Sequence, residues 1–176
     1  MPYLAGPFAV ASILLIVGGA AKARRPDDTA RAMRALGLPA SPVFVRLFAA
    51  GETVIGAGAL LAGGRALATL VAVSYFGFFA FVVLAMLRGG VLSSCGCFGS
   101  TDTPPTIVHL LVNLGLAAVS LAIVADPPGP LLDGLRGQPL IGLPFLVLTG
   151  CCVWLAYAAV AILPTASRRA VAKDAA

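Results

Sequence analysis

The stretch Ala66–Leu87, ALATLVAVSYFGFFAFVVLAML, carries no charged side chain. Crossing a hydrocarbon core of roughly 30 Å takes about 20 apolar residues in a helix, so this run by itself is long enough to span a bilayer. Working outward from it, comparable runs lie at Pro7–Ala21, Val43–Ala62, Thr106–Ala125 and Leu140–Leu163. The last is interrupted by Gly142 and Pro144, but Phe145–Leu163 remains uncharged and is kept as a span. An unpaired backbone group in lipid costs several kcal/mol, and the alternation expected of barrel strands is absent, so the spans are read as helices. The expected fold is all-α, a polytopic membrane helical bundle of about five transmembrane helices, with a single integral membrane domain over residues 1–176.

Composition supports that class. Hydrophobic residues make up 60% of the chain and charged residues 11%, and the mean hydropathy is +1.01, a balance foreign to soluble domains. The first run lacks a basic region before it and has one after it, so it is read as a span and not as a secretory signal. No internal repeat or low-complexity tract is evident.

The net charge of +5 sorts by loop. With five spans, Lys22, Arg24, Arg25, Arg31, Arg34, Arg46, Arg88, Arg168, Arg169 and Lys173 fall on one side, and Arg65 and Arg136 on the other. The positive-inside rule then sets the amino terminus outside and the carboxyl terminus in the cytoplasm of a multi-pass cell-membrane protein. Anionic membrane lipid accounts for this charge, and no nucleic-acid partner is called for. In the first loop, Asp27, Asp28 and Thr29 can cap a helix over Ala30–Leu36, ended by Gly37 and Pro39. Its apolar Ala30, Met33 and Leu36 share a face, which predicts a helix lying on the membrane surface.

Polar residues within the spans are few. Glu52 lies about ten residues into the second span, near mid-bilayer, where an ionised carboxylate needs a partner or a proton. It is either a proton acceptor or ligand contact, or a structural carboxylate bonded to a neighbouring helix through Ser74 or Tyr75. Gly56, Ala59 and Gly63 follow it at helical spacing and permit close helix approach. His109, Asn113 and Ser120 fall on one face of the fourth span. As the chain's only histidine, His109 can exchange protons near neutral pH, or serve only as an interhelical hydrogen-bond donor. Tyr75, Phe76, Phe78, Phe79 and Phe81 wrap around the third span, which suits packing more than a quinone pocket, so no cofactor is assigned.

Between the third and fourth spans stands Cys95-Gly96-Cys97-Phe98-Gly99. A disulfide between residues two apart closes a strained, easily reduced ring, and Gly96 supplies the backbone freedom such a ring needs. Thiol–disulfide exchange follows from that chemistry. Cu(I) or Zn binding with His109 as a third ligand is the rival, yet no second loop pair completes a four-ligand site, and no metal is assigned. Cys151 and Cys152 sit inside an apolar run and are expected to pack as small hydrophobes.

The order of these features resembles the MauE branch of the MauE/DoxX membrane proteins. The similarity runs through Gly18-Gly19-Ala20-Ala21-Lys22, Ala35-Leu36-Gly37-Leu38-Pro39, Glu52, Arg88-Gly89-Gly90 and Cys95-Gly96-Cys97-Phe98-Gly99. The resemblance implies a four-helix DoxX-like core plus one helix. It further implies a role in methylamine utilisation, assisting maturation of the disulfide-rich small subunit of methylamine dehydrogenase beside a separate thioredoxin-like partner. Of the quoted residues, Cys95 and Cys97 carry over as functional ones.

The sequence thus predicts a membrane thiol–disulfide oxidoreductase or maturation factor acting through Cys95 and Cys97, with His109 handling protons. The charge bias sets the cysteine loop on the cytoplasmic side. Two alternatives are a small-molecule carrier or ligand-binding bundle using Glu52, and a non-catalytic assembly factor. No catalytic serine, carboxylate pair or phosphate-binding loop is evident.

Overall fold

The computed structural model describes residues 4–38, 40–88, 106–137 and 139–162. Among them there is no strand, and seven α-helices follow in order: α1 (Ala5–Arg24), α2 (Pro26–Ala35), α3 (Pro42–Leu61), α4 (Arg65–Leu87), α5 (Ile107–Ala122), α6 (Leu131–Gly137) and α7 (Pro139–Tyr157), the last running into a π-helical turn at Ala158–Ile162. The cysteine pair Cys95/Cys97 lies outside the described residues, in the connection from α4 to α5.

Among the described residues, four helical segments are long and apolar enough to cross a membrane: α1, α3, α4, and the continuous stretch Gly142–Ile162. The expected span Thr106–Ala125 forms a helix of 16 residues, about 24 Å long at 1.5 Å per residue, and is the short member of the bundle. Pro144 lies inside α7 without ending it, since neighbouring groups and local adjustment re-satisfy the freed backbone in a membrane helix. Large apolar side chains such as Leu47, Val54, Leu87, Leu111 and Leu148 face outward. In a bilayer that outer face meets lipid, and the chain is a multi-pass membrane protein.

The core is four helices, α1, α3, α4 and α5, with α7 docked on α1. α3 starts cleanly because Pro42 occupies its first turn and the Ser41 hydroxyl accepts the Phe44 N–H at 3.1 Å, which satisfies one of the orphan donors of a helix end. α1 and α3 run antiparallel and very close. A methyl group at Gly19 would come within 2.6 Å of Thr53 Oγ1, and one at Gly56 within 2.6 Å of the Ser12 carbonyl. Small residues are what let two backbones approach like this in lipid. Gly56 and the buried Ala59 behave as the sequence suggested, whereas Gly63 lies beyond the helix, in the α3–α4 turn at φ 64°. That turn is tied to the opposite connection by Arg65 Nε, which donates to the Val124 carbonyl at 3.1 Å.

α2 begins four residues earlier than expected, with Pro26 at its first turn and Asp27 and Asp28 beside the positive end of its dipole. Gly37, at φ 75°, ends the chain's run past the helix in a Schellman arrangement: Leu38 N–H donates to the Met33 carbonyl at 3.0 Å and Gly37 N–H to Arg34 at 2.9 Å. The expectation of a helix that only lies on the membrane needs correction. Ala32 and Leu36 are buried against Ala85, with Phe81 and Leu84 packed around them, and Arg88 Nη1 donates to the Leu36 carbonyl. α2 is therefore a cap on the end of the bundle, fastened to the last turn of α4.

Candidate functional site

Glu52 is 2% exposed, and its partner is Lys22, near the end of α1, itself 5% exposed. Lys22 Nζ donates to Oε1 and to Oε2, each at 2.8 Å. The suggested partners of Glu52 are otherwise engaged: Ser74 Oγ donates to Leu70 O at 2.9 Å and Tyr75 OH to Ala11 O at 2.7 Å. The antiparallel register explains the pairing. With Gly19 against Ala49 and Thr53, and Gly56 against Ser12 and Ile16, the α1 residue one turn beyond Gly19 comes opposite Glu52.

The ammonium also sits 4.2 Å from the centre of the Phe78 ring and 5.9 Å from that of Phe48, so two aromatic faces flank the charge. Phe78 is braced in turn by an edge-to-face contact with Tyr75, 5.8 Å between ring centres and 83° between planes. Buried charges persist when they are paired and bonded in this way.

His109 is 2% exposed. The Thr106 N–H donates to its Nδ1 at 3.3 Å, and Thr106 Oγ1 lies 2.9 Å from the same atom. Because Nδ1 accepts from a backbone donor, the neutral ring carries its proton on Nε2, a tautomer inferred from the bonding. The expected common face of α5 is present, but its polar groups bond along their own helix: Asn113 Nδ2 donates to His109 O at 2.7 Å and Ser120 Oγ to Leu116 O at 2.8 Å.

A cavity of about 40 Å³ lies between α1, α4, α5 and the π-helical turn, and Lys22, Tyr75, His109 and Asn113 all contribute to its wall. That volume admits water and excludes an organic ligand. Lys22 also forms part of a second and much larger space, a groove of about 520 Å³ beneath α2 that opens between α3 and α4. Lys22 thus stands between a small inner cavity, mostly apolar but with four polar side chains in its wall, and an outer apolar groove.

Lys22 and His109 lie toward the α2 end of the bundle, where the connection containing Cys95 and Cys97 leaves α4 at Arg88 and enters α5 at Thr106. A family model described as methylamine utilisation protein MauE matches residues 2–126. The chain belongs to the MauE family. The match takes in Lys22, Glu52, Cys95, Cys97 and His109, and leaves α6 and α7 beyond it. Comparison with curated proteins and with solved structures finds no match. Within the MauE-type core, sequence reasoning singled out Glu52 and His109, but it counted Lys22 with the charge of the first loop and with the resemblance and did not pair it with Glu52. The signal for its true place was an uncompensated carboxylate in one span and a lysine closing the neighbouring, glycine-rich span.

Cys151 and Cys152 were expected to pack as small hydrophobes along an apolar helix. Both are free thiols exposed on α7.

Proposed function

We propose that this MauE-family protein carries out thiol–disulfide exchange through Cys95 and Cys97 and acts in the maturation of an exported, disulfide-containing protein. The observation that carries the reading is the Cys-Gly-Cys sequence inside the region matched by the family. For a family described by methylamine utilisation, the small subunit of methylamine dehydrogenase is the corresponding substrate. In the exchange, one thiolate attacks a disulfide sulfur of the partner and forms a mixed disulfide. The second thiolate then displaces the partner, which leaves with two thiols as Cys95 and Cys97 become a disulfide. Two electrons pass to the partner, and the two protons lost by the cysteines end on its sulfurs. A separate thioredoxin-like protein would restore the dithiol. His109, three residues past the end of the cysteine connection, is the proposed acceptor for the proton of the attacking thiol; its one lone pair is on Nδ1, so taking that proton requires the ring to release the Thr106 N–H.

The charge bias of the loops favours a cytoplasmic α2 end, where thiols can return electrons to the pair, whereas exchange with an already exported partner calls for a cysteine connection that faces outward; the identity of the trapped partner separates the two. The anchoring of both flanks supports the reading as well: Arg88 is bonded to Leu36 O, and Thr106 is capped by His109. In cells, Cys97→Ser is expected to trap a mixed disulfide between Cys95 and the partner, or Cys95→Ser to trap it through Cys97. Absence of a reducible adduct from both variants would overturn the proposal.

A further inference from the structure

We propose that the small cavity between α1, α4, α5 and the π-helical turn is a binding site for water, and that the bound water links His109 to the Lys22–Glu52 pair. The cavity holds about 40 Å³. A water molecule needs roughly 10–15 Å³ of such space, so about two or three fit, and the choice among organic ligands does not arise. Leu14, Leu116, Ala156 and Val160 form apolar parts of its wall. Val160 comes from the π-helical turn, an irregularity found frequently at functional sites.

Volume alone does not decide, since a cavity lined only by apolar side chains stays dry. This one also has Lys22, Tyr75, His109 and Asn113 in its wall, and the first three are at most 5% exposed. The Tyr75 phenol donates to Ala11 O at 2.7 Å, and its oxygen can accept as well. Asn113 gives one N–H to His109 O at 2.7 Å, and its carboxamide also has a second N–H and a carbonyl oxygen. His109 Nδ1 accepts from Thr106, and the Nε2–H of that tautomer is a donor. Donors from Asn113 and His109 and acceptors from Tyr75 and Asn113 meet the requirement of a buried water for about two to four polar partners. The Lys22 ammonium is held by Glu52 and lies over Phe78, so it need not donate; its charge turns a water oxygen toward it. Contacts then run from His109 through water to Lys22 and Glu52, across α5, α1 and α3. If His109 takes a thiol proton at Nδ1, one proton leaves Nε2 for the water and the ring ends neutral in its other tautomer. That consequence rests on the thiol reading, whereas the water site does not.

The experiment uses the full chain in lipid nanodiscs, with ¹⁵N at histidine alone. His109 is the chain's only histidine, so the ring signals belong to one residue. Nuclear magnetic resonance then measures transfer of magnetisation from water to the Nε2 proton. Transfer is expected in the parent and in Gly115→Leu, a position on α5 outside the cavity wall where an added Cβ meets nothing within 4 Å. It is expected to be lost in Ala156→Leu, whose added atoms take up the cavity, and to fall in Asn113→Leu, which removes a donor and an acceptor. No transfer in the parent, or undiminished transfer in either cavity variant, would overturn the proposal; the parent measurement decides even where a variant fails to fold. The link to the ion pair is read from the same signal. The Nε2 resonance is expected to move in the Lys22→Met, Glu52→Leu double variant, which leaves no unpaired buried charge, and an unmoved resonance would remove that link. No thiol enters the readout. Failure here leaves the cysteine reading standing, and failure to trap a mixed disulfide leaves the water site untouched.

Discussion

Lys22 Nζ stands 2.8 Å from each carboxylate oxygen of Glu52, and this fork joins α1 to α3 at the point where their backbones are held together by Gly19 and Gly56. The pair is the electrostatic centre of the bundle. Lys22 contributes to the wall of a small cavity that reaches His109 and, on its other side, to the wall of the groove beneath α2.

Breaking that pair from one side leaves an uncompensated buried charge. Lys22→Met and Glu52→Leu are each expected to destabilise the protein by about 3–5 kcal/mol, while the double variant recovers most of the loss because neither charge remains. Thermal unfolding of the four proteins in one detergent gives the cycle. Single variants as stable as the parent would show that the pair has no structural weight.

The close approach of α1 and α3 makes its own demand. Gly56→Val is expected to cost about 1–3 kcal/mol, because the new Cβ would press on the backbone of Ser12, which cannot move aside. Gly51→Ala, on the same helix with nothing within 4 Å, is expected to be neutral or to gain up to about 1 kcal/mol. Equal effects at the two glycines would contradict the packing described.

His109 fixes the start of α5, since its ring accepts the Thr106 N–H that no helical carbonyl reaches. His109→Ala is expected to cost about 0.5–2 kcal/mol and to speed amide exchange at Thr106 and the residues just after it, with the rest of α5 unaffected. Unchanged exchange at Thr106 would remove the capping role and leave His109 to its proposed proton chemistry alone.

The spans were legible because a bilayer imposes length and composition directly. Val43–Ala62 was expected and Pro42–Leu61 forms; Ala66–Leu87 was expected and Arg65–Leu87 forms. Glu52 was legible for the same reason, as an ionisable group has to justify a place among apolar residues. Its partner was not, because Lys22 sits at the end of a span, where a basic residue already has an explanation in the loop charge, and only the register between two helices brings it opposite the carboxylate. The fate of α2 was hidden differently. A helix with one apolar face looks the same whether that face meets lipid or protein, and the decision rests with Ala85 and Arg88, some fifty residues further along the chain. The exposure of Cys151 and Cys152 was not legible, because an apolar helix in a membrane has no inside face written in its composition. The groove beneath α2 exists only once three helices are in place.

The central claim concerns the cysteines between α4 and α5, and the most direct test is their redox state in the living cell. Growing cells are quenched with acid, free thiols are alkylated, and mass spectrometry reads the peptide that contains Cys95 and Cys97. Thiol exchange predicts a mixture of dithiol and disulfide whose proportions move when oxidant or reductant is added; a pair that is fully alkylated under every condition would contradict it.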